Sequence, residues 1–257
     1  MSTLIKFDNI SFSFETDRGR TTILSEHDSE IKENEFVSLI GLSGCGKSTV
    51  LKLMAGLYEP DSGRVEFQGG NHPRLGKVSL MPQQDMLMPW RTIIENAALP
   101  LEIQGIPAKE AEKKVREFLP SFGLEKVGHA FPRELSGGMR QRVSFLRAML
   151  GGHHLLLLDE PFSALDAFTR REMQLWLTAA WREWERSIFL ITHDIEEALF
   201  LSDRIYLMEK GQRGAFQEIP VPFPRPRSTD LHLTKEFIQL RSEITNLLYQ
   251  KESYEKK

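Results

Sequence analysis

The sequence predicts an α/β fold built on a mainly parallel sheet, and three observations carry that expectation. Unbroken apolar runs recur at Leu155-Leu156-Leu157-Leu158, Ile188-Phe189-Leu190-Ile191 and Ile205-Tyr206-Leu207-Met208. Strands buried on both faces of a parallel sheet read this way, without alternation. Phe36-Val37-Ser38-Leu39-Ile40 is a fourth strand candidate, and it runs straight into a glycine-rich turn and a helix beginning near Lys47. Helical spacing from Thr92 to Leu150 completes the pattern of strands exchanging with helices.

Taken in chain order, Leu4 to Phe14 alternates in part, with Ile10, Phe12 and Phe14 on one parity, and predicts edge strands of an antiparallel sheet. Thr16-Asp17-Arg18-Gly19-Arg20 is a polar turn leading to Thr22-Ile23-Leu24. Val65-Glu66-Phe67 and Val78-Ser79-Leu80 are short strand candidates. The helical stretch from Thr92 contains Pro100, Pro107, Pro120 and Pro132, which predict its breaks. Pro220 to Pro226 is too proline-dense for a regular element and reads as an extended connector. Phe237, Leu240, Ile244, Leu247 and Leu248 then line one face of a helical tail. No internal repeat is present. The expected division is a core with a β subdomain over 1–84, a helical subdomain over 85–152, the rest of the core over 153–218, and a connector and tail over 219–257.

Composition sets outer limits. At 257 residues, 40% hydrophobic, the chain can form one large α/β domain with a smaller insert. A net charge of −3, with basic residues answered locally as in Glu112-Lys113-Lys114, favours no nucleic-acid partner. The single cysteine, Cys45, excludes an internal disulfide and a thiolate cluster. No apolar run approaches the roughly 18–20 residues of a membrane span. The start, Met1 to Lys6, lacks a signal-peptide layout. A cytosolic chain is expected, reaching any membrane through another subunit.

The strongest motif is Gly41-Leu42-Ser43-Gly44-Cys45-Gly46-Lys47-Ser48, a P-loop lying between predicted strand and helix as the motif requires. Glycines let backbone N–H groups close on phosphate oxygens, and the helix N-terminus adds positive potential. Lys47 can reach the β/γ-phosphates of a nucleotide, while the Ser48 hydroxyl, next to Thr49, can ligate Mg²⁺. A redox role for Cys45 is outweighed by a plainer one, a small side chain in a loop whose backbone does the binding.

A P-loop alone leaves kinases, GTPases and ATPases open. Leu155 to Leu158 followed by Asp159-Glu160-Pro161 narrows the choice. Asp159 at the strand end suits Mg²⁺, and Glu160 beside it can polarise an attacking water, a general-base task worth roughly 10²–10⁴-fold in rate. The base-specifying Asn-Lys-x-Asp of GTPases is missing. Leu135-Ser136-Gly137-Gly138-Met139-Arg140-Gln141-Arg142 precedes an apolar-periodic helix, with Ser136 as its predicted N-cap, giving a second anion-binding terminus.

Here the sequence resembles the ABC ATPases, whose signature motif Ser136-Gly137-Gly138 matches. The other elements follow in family order. Gln83 resembles the Q-loop glutamine, also a metal ligand in the family; Ser163-Ala164-Leu165-Asp166 resembles the D-loop; His193 resembles the switch histidine. Phe14 matches the aromatic that stacks on adenine, where tyrosine is commoner. The resemblance covers roughly residues 3–215. It implies a RecA-like P-loop NTPase core with an inserted helical subdomain. It also implies a homodimer in which the signature turn of one chain closes on the γ-phosphate held by its partner.

Met86-Leu87-Met88-Pro89-Trp90, following Gln83, is an apolar, methionine-rich segment suited to an adaptable docking surface for a permease. Ordinary packing between core and helical insert is the plainer alternative. Leu87 to Thr92, Glu160 to Asp166 and Thr192 to Ala198 look like the nitrate, sulfonate and taurine importer group, and importers of thiamine pyrimidine precursors share the pattern. Such importers pair two ATPase subunits with two permeases and an external solute-binding protein. Phe145-Leu146-Arg147-Ala148 departs slightly from the Ile-Ala-Arg-Ala common in the signature helix. Two other readings stand against transport: a soluble ABC ATPase, or a P-loop kinase or adaptor outside the family. The former usually carries two cassettes, a coiled-coil insert or zinc cysteines; the latter leaves Ser136 and His193 unexplained.

Overall fold

The computed structural model describes residues 2–17, 19–70, 73–208 and 216–249. In chain order its elements are β1 (Thr3–Thr16), β2 (Gly19–Lys32), β3 (Phe36–Gly41), α1 (Lys47–Met54), β4 (Ser62–Phe67) and β5 (Ser79–Met81). Then come α2 (Ile93–Ile103), α3 (Ala108–Phe118), α4 (Gly137–Leu150), β6 (Leu155–Asp159), α5 (Ala167–Trp184) and β7 (Ser187–Thr192). The chain ends with α6 (Ile195–Leu201), β8 (Arg204–Met208), β9 (Phe216–Pro220) and α7 (Lys235–Tyr249).

The apolar runs form the centre of a six-stranded sheet ordered β5-β6-β7-β3-β8-β9, parallel except for β9. Alternate residues of each run feed different cores. Leu156, Leu158, Ile188 and Leu190 face the helices α2, α4 and α5, whereas Leu155, Leu157, Phe189 and Ile191 face α1 and the second sheet. That double burial is why the runs show no alternation. A third core joins Ile205 and Leu207 to α6, β9 and the tail helix.

The second sheet is antiparallel, ordered β2-β1-β4. Its register corrects the expectation of an edge strand, since β1 is the central strand. The imperfect alternation has a local cause: the β1–β2 register slips between Phe7 and Ile10, where Asn9 takes a left-handed φ of 52°. Arg18, in the predicted turn, lies outside the described residues.

Two proline readings also change. Pro100 lies inside α2 instead of ending it. Ile93, Ile94, Ala97, Ala98 and Leu101 are buried on both sides of it, so packing outweighs the hydrogen bond a proline cannot make. Pro220 closes β9, and the connector begins only after it. Pro107, Pro120 and Pro132 do mark boundaries, capping α3 or opening short 3₁₀ turns.

Candidate functional site

Four neighbouring strands deliver the predicted chemistry to one edge of the sheet. The phosphate loop follows β3, Gln83 follows β5, Asp159 and Glu160 end β6, and His193 follows β7. Open α/β sheets bind ligands at the carboxyl ends of their strands, and this is such an edge. Phe14, Ser43, Gly44, Gly46, Lys47, Ser48, Thr49, Gln83, Glu160 and His193 together line a cavity of about 550 Å³. Ile23 of β2 lines it too, a residue that sequence reasoning missed. Its only signal was its place in the segment Thr22-Ile23-Leu24 that follows the polar turn.

Gly46 is held at φ 111° as the N-cap of α1, and a Cβ there would meet Ile23 Cγ2 at 2.5 Å. Only glycine fits both demands. Lys47 is buried, and its Nζ donates to the carbonyls of Gly41 (2.8 Å) and Leu42 (3.1 Å), folding over the loop it serves. Cys45 is buried within the core behind the loop, and a Cβ at Gly41 would press on its sulfur.

Glu160 has a left-handed φ of 48°, an uncommon state for a residue with a side chain. Its N–H donates to the Ile191 carbonyl of the adjacent strand at 2.9 Å, and Ser163 Oγ donates to its carbonyl. Strain of this kind is retained where surrounding bonds over-determine it, commonly at working sites. The carboxylate collects two partners on one oxygen. Gln83 Nε2 donates to Oε2 at 3.0 Å, and His193 Nδ1 lies 3.4 Å from the same atom.

Asp159 stands behind this pair. Burial pushes its carboxyl above the usual range, while a Ser48 hydroxyl hydrogen bond and the Lys47 and Lys52 charges oppose the shift. A half-buried carboxylate held against a hydroxyl is a pair of hard oxygen donors of the kind Mg²⁺ takes. Among the described residues no group of three or more His, Cys, Asp or Glu could hold a metal. Mg²⁺ is commonly bound by one or two protein oxygens with substrate phosphates completing the shell.

A second set of predicted residues lies apart from this cavity. Ser136 caps α4, its Oγ accepting from Met139 N at 3.3 Å. A Cβ at Gly137 would make only an ordinary contact with Arg140 Nη2 at 3.9 Å, whereas Gly138 packs so near Leu165 that a Cβ would lie 3.1 Å from its Cδ2. Asp166 caps α5, accepting from the N–H groups of Phe168 and Thr169, and those bonds, Thr169 foremost, hold its carboxyl below the usual range. None of these four residues lines the phosphate-loop cavity.

The segment after Gln83 is tied to the signature helix by arginines that sequence reasoning did not single out as site residues. Arg140 Nε donates to Asp85 Oδ2 at 2.9 Å, and Arg147 donates to the carbonyls of Asp85 and Met86. Met86 and Trp90 are exposed, while Leu87 packs against the helical core.

The ABC transporter family model matches residues 24–163. The chain belongs to that family. Among its relatives, the formylaminopyrimidine import ATP-binding protein ThiZ of Halalkalibacterium halodurans is 40% identical over 95% of this chain and 96% of its own. The aliphatic sulfonates import ATP-binding protein SsuB of Zymomonas mobilis is 41% identical over 90% of this chain and 91% of its own. Among solved structures, the dimeric post-hydrolysis state of the ATP-binding cassette MJ0796, bound to ADP and phosphate, superposes with a TM-score of 0.77 at 29% identity. It covers 86% of this chain and 100% of that one. This ABC chain is an ATPase, and the readings outside the family fall away. Among the described residues no helix is long and apolar enough to cross a membrane.

Proposed function

We propose that this chain is the ATP-hydrolysing subunit of an importer, powering uptake of a small solute such as a sulfonate, nitrate, taurine or a thiamine pyrimidine precursor. It would sit at the cytoplasmic face of the membrane against permease subunits, with an external solute-binding protein delivering cargo and no nucleic acid involved. The observation that carries this reading is the convergence of Gln83 and His193 on one oxygen of Glu160, at the edge of the phosphate-loop cavity. The importer names of the relatives support the direction of transport.

In this reading two chains pair so that Ser136, Gly137 and Gly138 of one close on the ATP held by Lys47, Ser43, Ser48 and Thr49 of the other. The separation of the signature turn from its own cavity supports that arrangement, and so does the dimeric state of the MJ0796 cassette. Phe14 would stack on the adenine. Ser48, Asp159 and Gln83 would hold Mg²⁺, which supplies charge neutralisation at the phosphates when bound. Glu160 takes a proton from the attacking water as the bond to the γ-phosphorus forms and the β–γ bridge breaks, leaving ADP and phosphate. His193 and Gln83 hold the carboxylate in line for that transfer, and Asp166 fixes the turn beside it. The exposed Met86 and Trp90 support permease docking over internal packing, and the division at 85–152 would let the helical part move with the permease.

Glu160→Gln tests the reading. It keeps the shape but cannot accept the proton, so turnover should fall at least about 10²-fold while ATP-bound dimers accumulate in size-exclusion profiles. Wild-type turnover by this variant would refute the assignment.

A further inference from the structure

The switch histidine is exposed, with 65% of its side chain accessible against 18% for Glu160. The imidazole reaches Glu160 from a turn, and that turn sets its position. That turn is bracketed on both sides. Before it, Thr192 is buried, and its Oγ1 donates to Glu197 Oε2 at 3.2 Å. After it, the N–H of Asp194 donates back to Thr192 Oγ1 at 3.1 Å, and Asp194 Oδ1 caps α6 by accepting from Glu196 N and Glu197 N.

The second oxygen of Asp194 points elsewhere. Arg170 Nη1 of α5 lies 3.8 Å from Asp194 Oδ2, and Arg170 Nη2 donates to the Leu165 carbonyl at 3.1 Å. Leu165 belongs to the turn Ser163-Ala164-Leu165-Asp166, whose Leu165 side chain lies against Gly138 of the signature turn. One guanidinium thus spans the turn beside the signature and the turn of the switch histidine. Between them lies a void of about 10 Å³, close to the room one water needs, walled by Glu160, Ser163, Arg170, Thr192, His193 and Glu197 among others. Arg170 Nε and Glu197 Oε1 are both buried without a hydrogen-bond partner. Glu197 is 5% exposed, and burial first, then the Asp194 charge, pushes its carboxyl up to about 8.

We propose that Arg170 is a positioning residue for hydrolysis, holding the His193 turn in register with Glu160 by tying Asp194 to the Leu165 carbonyl. It touches neither substrate nor Glu160 and acts through His193. The proposal rests on the Glu160–His193 reading of the site and adds a dependence of turnover on the state of the Ser163–Asp166 turn.

The full-length protein carries the test, with ATP turnover and nucleotide affinity measured side by side. Arg170→Ala should lower kcat about tenfold with KM for ATP and ADP affinity unchanged, because a misplaced group is lost only in the transition state. Arg170→Lys, which keeps the charge, should recover part of that loss. Asp194→Asn keeps an acceptor for the α6 cap and deletes only the charge facing Arg170, so it should reproduce the loss in a chain that still folds. The double variant should be no slower than either single one, since both remove the same link. Wild-type kcat in Arg170→Ala, a rise in KM alone, or losses that multiply in the double variant would overturn the proposal. The outcome is separable from the parent reading: Glu160→Gln inactive with Arg170→Ala fully active sinks only the link, whereas an active Glu160→Gln sinks the site itself.

Discussion

His27 shows how a single buried group sets a pH limit on a chain whose chemistry lies elsewhere. It is 5% exposed, its ring centroid lies 3.9 Å from that of Phe216, and its Nε2 is 3.0 Å from Ser29 Oγ. Burial lowers its pKa from 6.5 to about 4, against a smaller upward pull from Asp28. The unfolded chain therefore binds a proton between pH 6.5 and 4 that the folded chain does not, and stability contributed by neutral His27 is lost as pH falls through that window. The shift corresponds to roughly 3 kcal/mol. Urea midpoints between pH 4 and 7 should show a shallower acid loss in His27→Gln than in the wild type; parallel curves would exclude this role. His27 was invisible in the sequence, because nothing local announces that a polar residue will face β9. Glu160, Lys47 and Ser136 were legible, since their chemistry is written in residue type and spacing. Ile23 and Arg170 were not, because their roles arise from contacts with residues far along the chain.

At the scale of elements, the parallel strands were readable because both of their faces are buried, and the helix starts at Lys47 and after Ser136 because turn chemistry fixes them. The misreadings fall where packing overrides local rules, at Pro100 within α2 and at the bulged, central β1. β9 went unseen because its pattern of one buried residue among five gives no periodic signal. The Met88–Trp90 segment shows the same dependence on distant support. Asn96 of α2 is fully buried; its Oδ1 accepts from Met88 N, and its Nδ2 donates to the carbonyls of Met88, Arg91 and Thr92. This one side chain shapes the surface from which Trp90 projects. Trp90→Glu should leave stability within about 0.5 kcal/mol and abolish co-purification with the permease. Asn96→Ala, which strands several polar groups, should cost on the order of 3 kcal/mol and weaken the complex as well. A Trp90→Glu chain that still assembles would remove this surface from the docking site.

Across the whole molecule, the tail decides whether the C-terminal segment is an appendage or part of the fold. Two kinds of contact join α7 to the body. One is an ion pair between Arg241 and Glu196, both more than a third exposed, and such pairs contribute about 0–1 kcal/mol. The other is apolar: Phe237 and Ile244 are fully buried with Ile40, Leu199, Ile205, Leu207 and Ile219 in one core. That core covers the outer face of β8 and reaches β3, the strand that feeds the phosphate loop. Removing a buried phenylalanine typically costs about 3–5 kcal/mol, so the apolar contact outweighs the ionic one several-fold. Phe237→Ala should lower the urea-unfolding free energy by that amount, whereas Arg241→Ala should change it by less than about 1 kcal/mol. Because β3 and β8 are hydrogen-bonded neighbours, the loss should appear in one cooperative transition with the nucleotide site, not as separate melting of the tail. A Phe237→Ala protein that keeps wild-type stability, or that loses only helix signal at low denaturant, would show α7 to be a detachable segment and leave it free for a role other than covering the sheet.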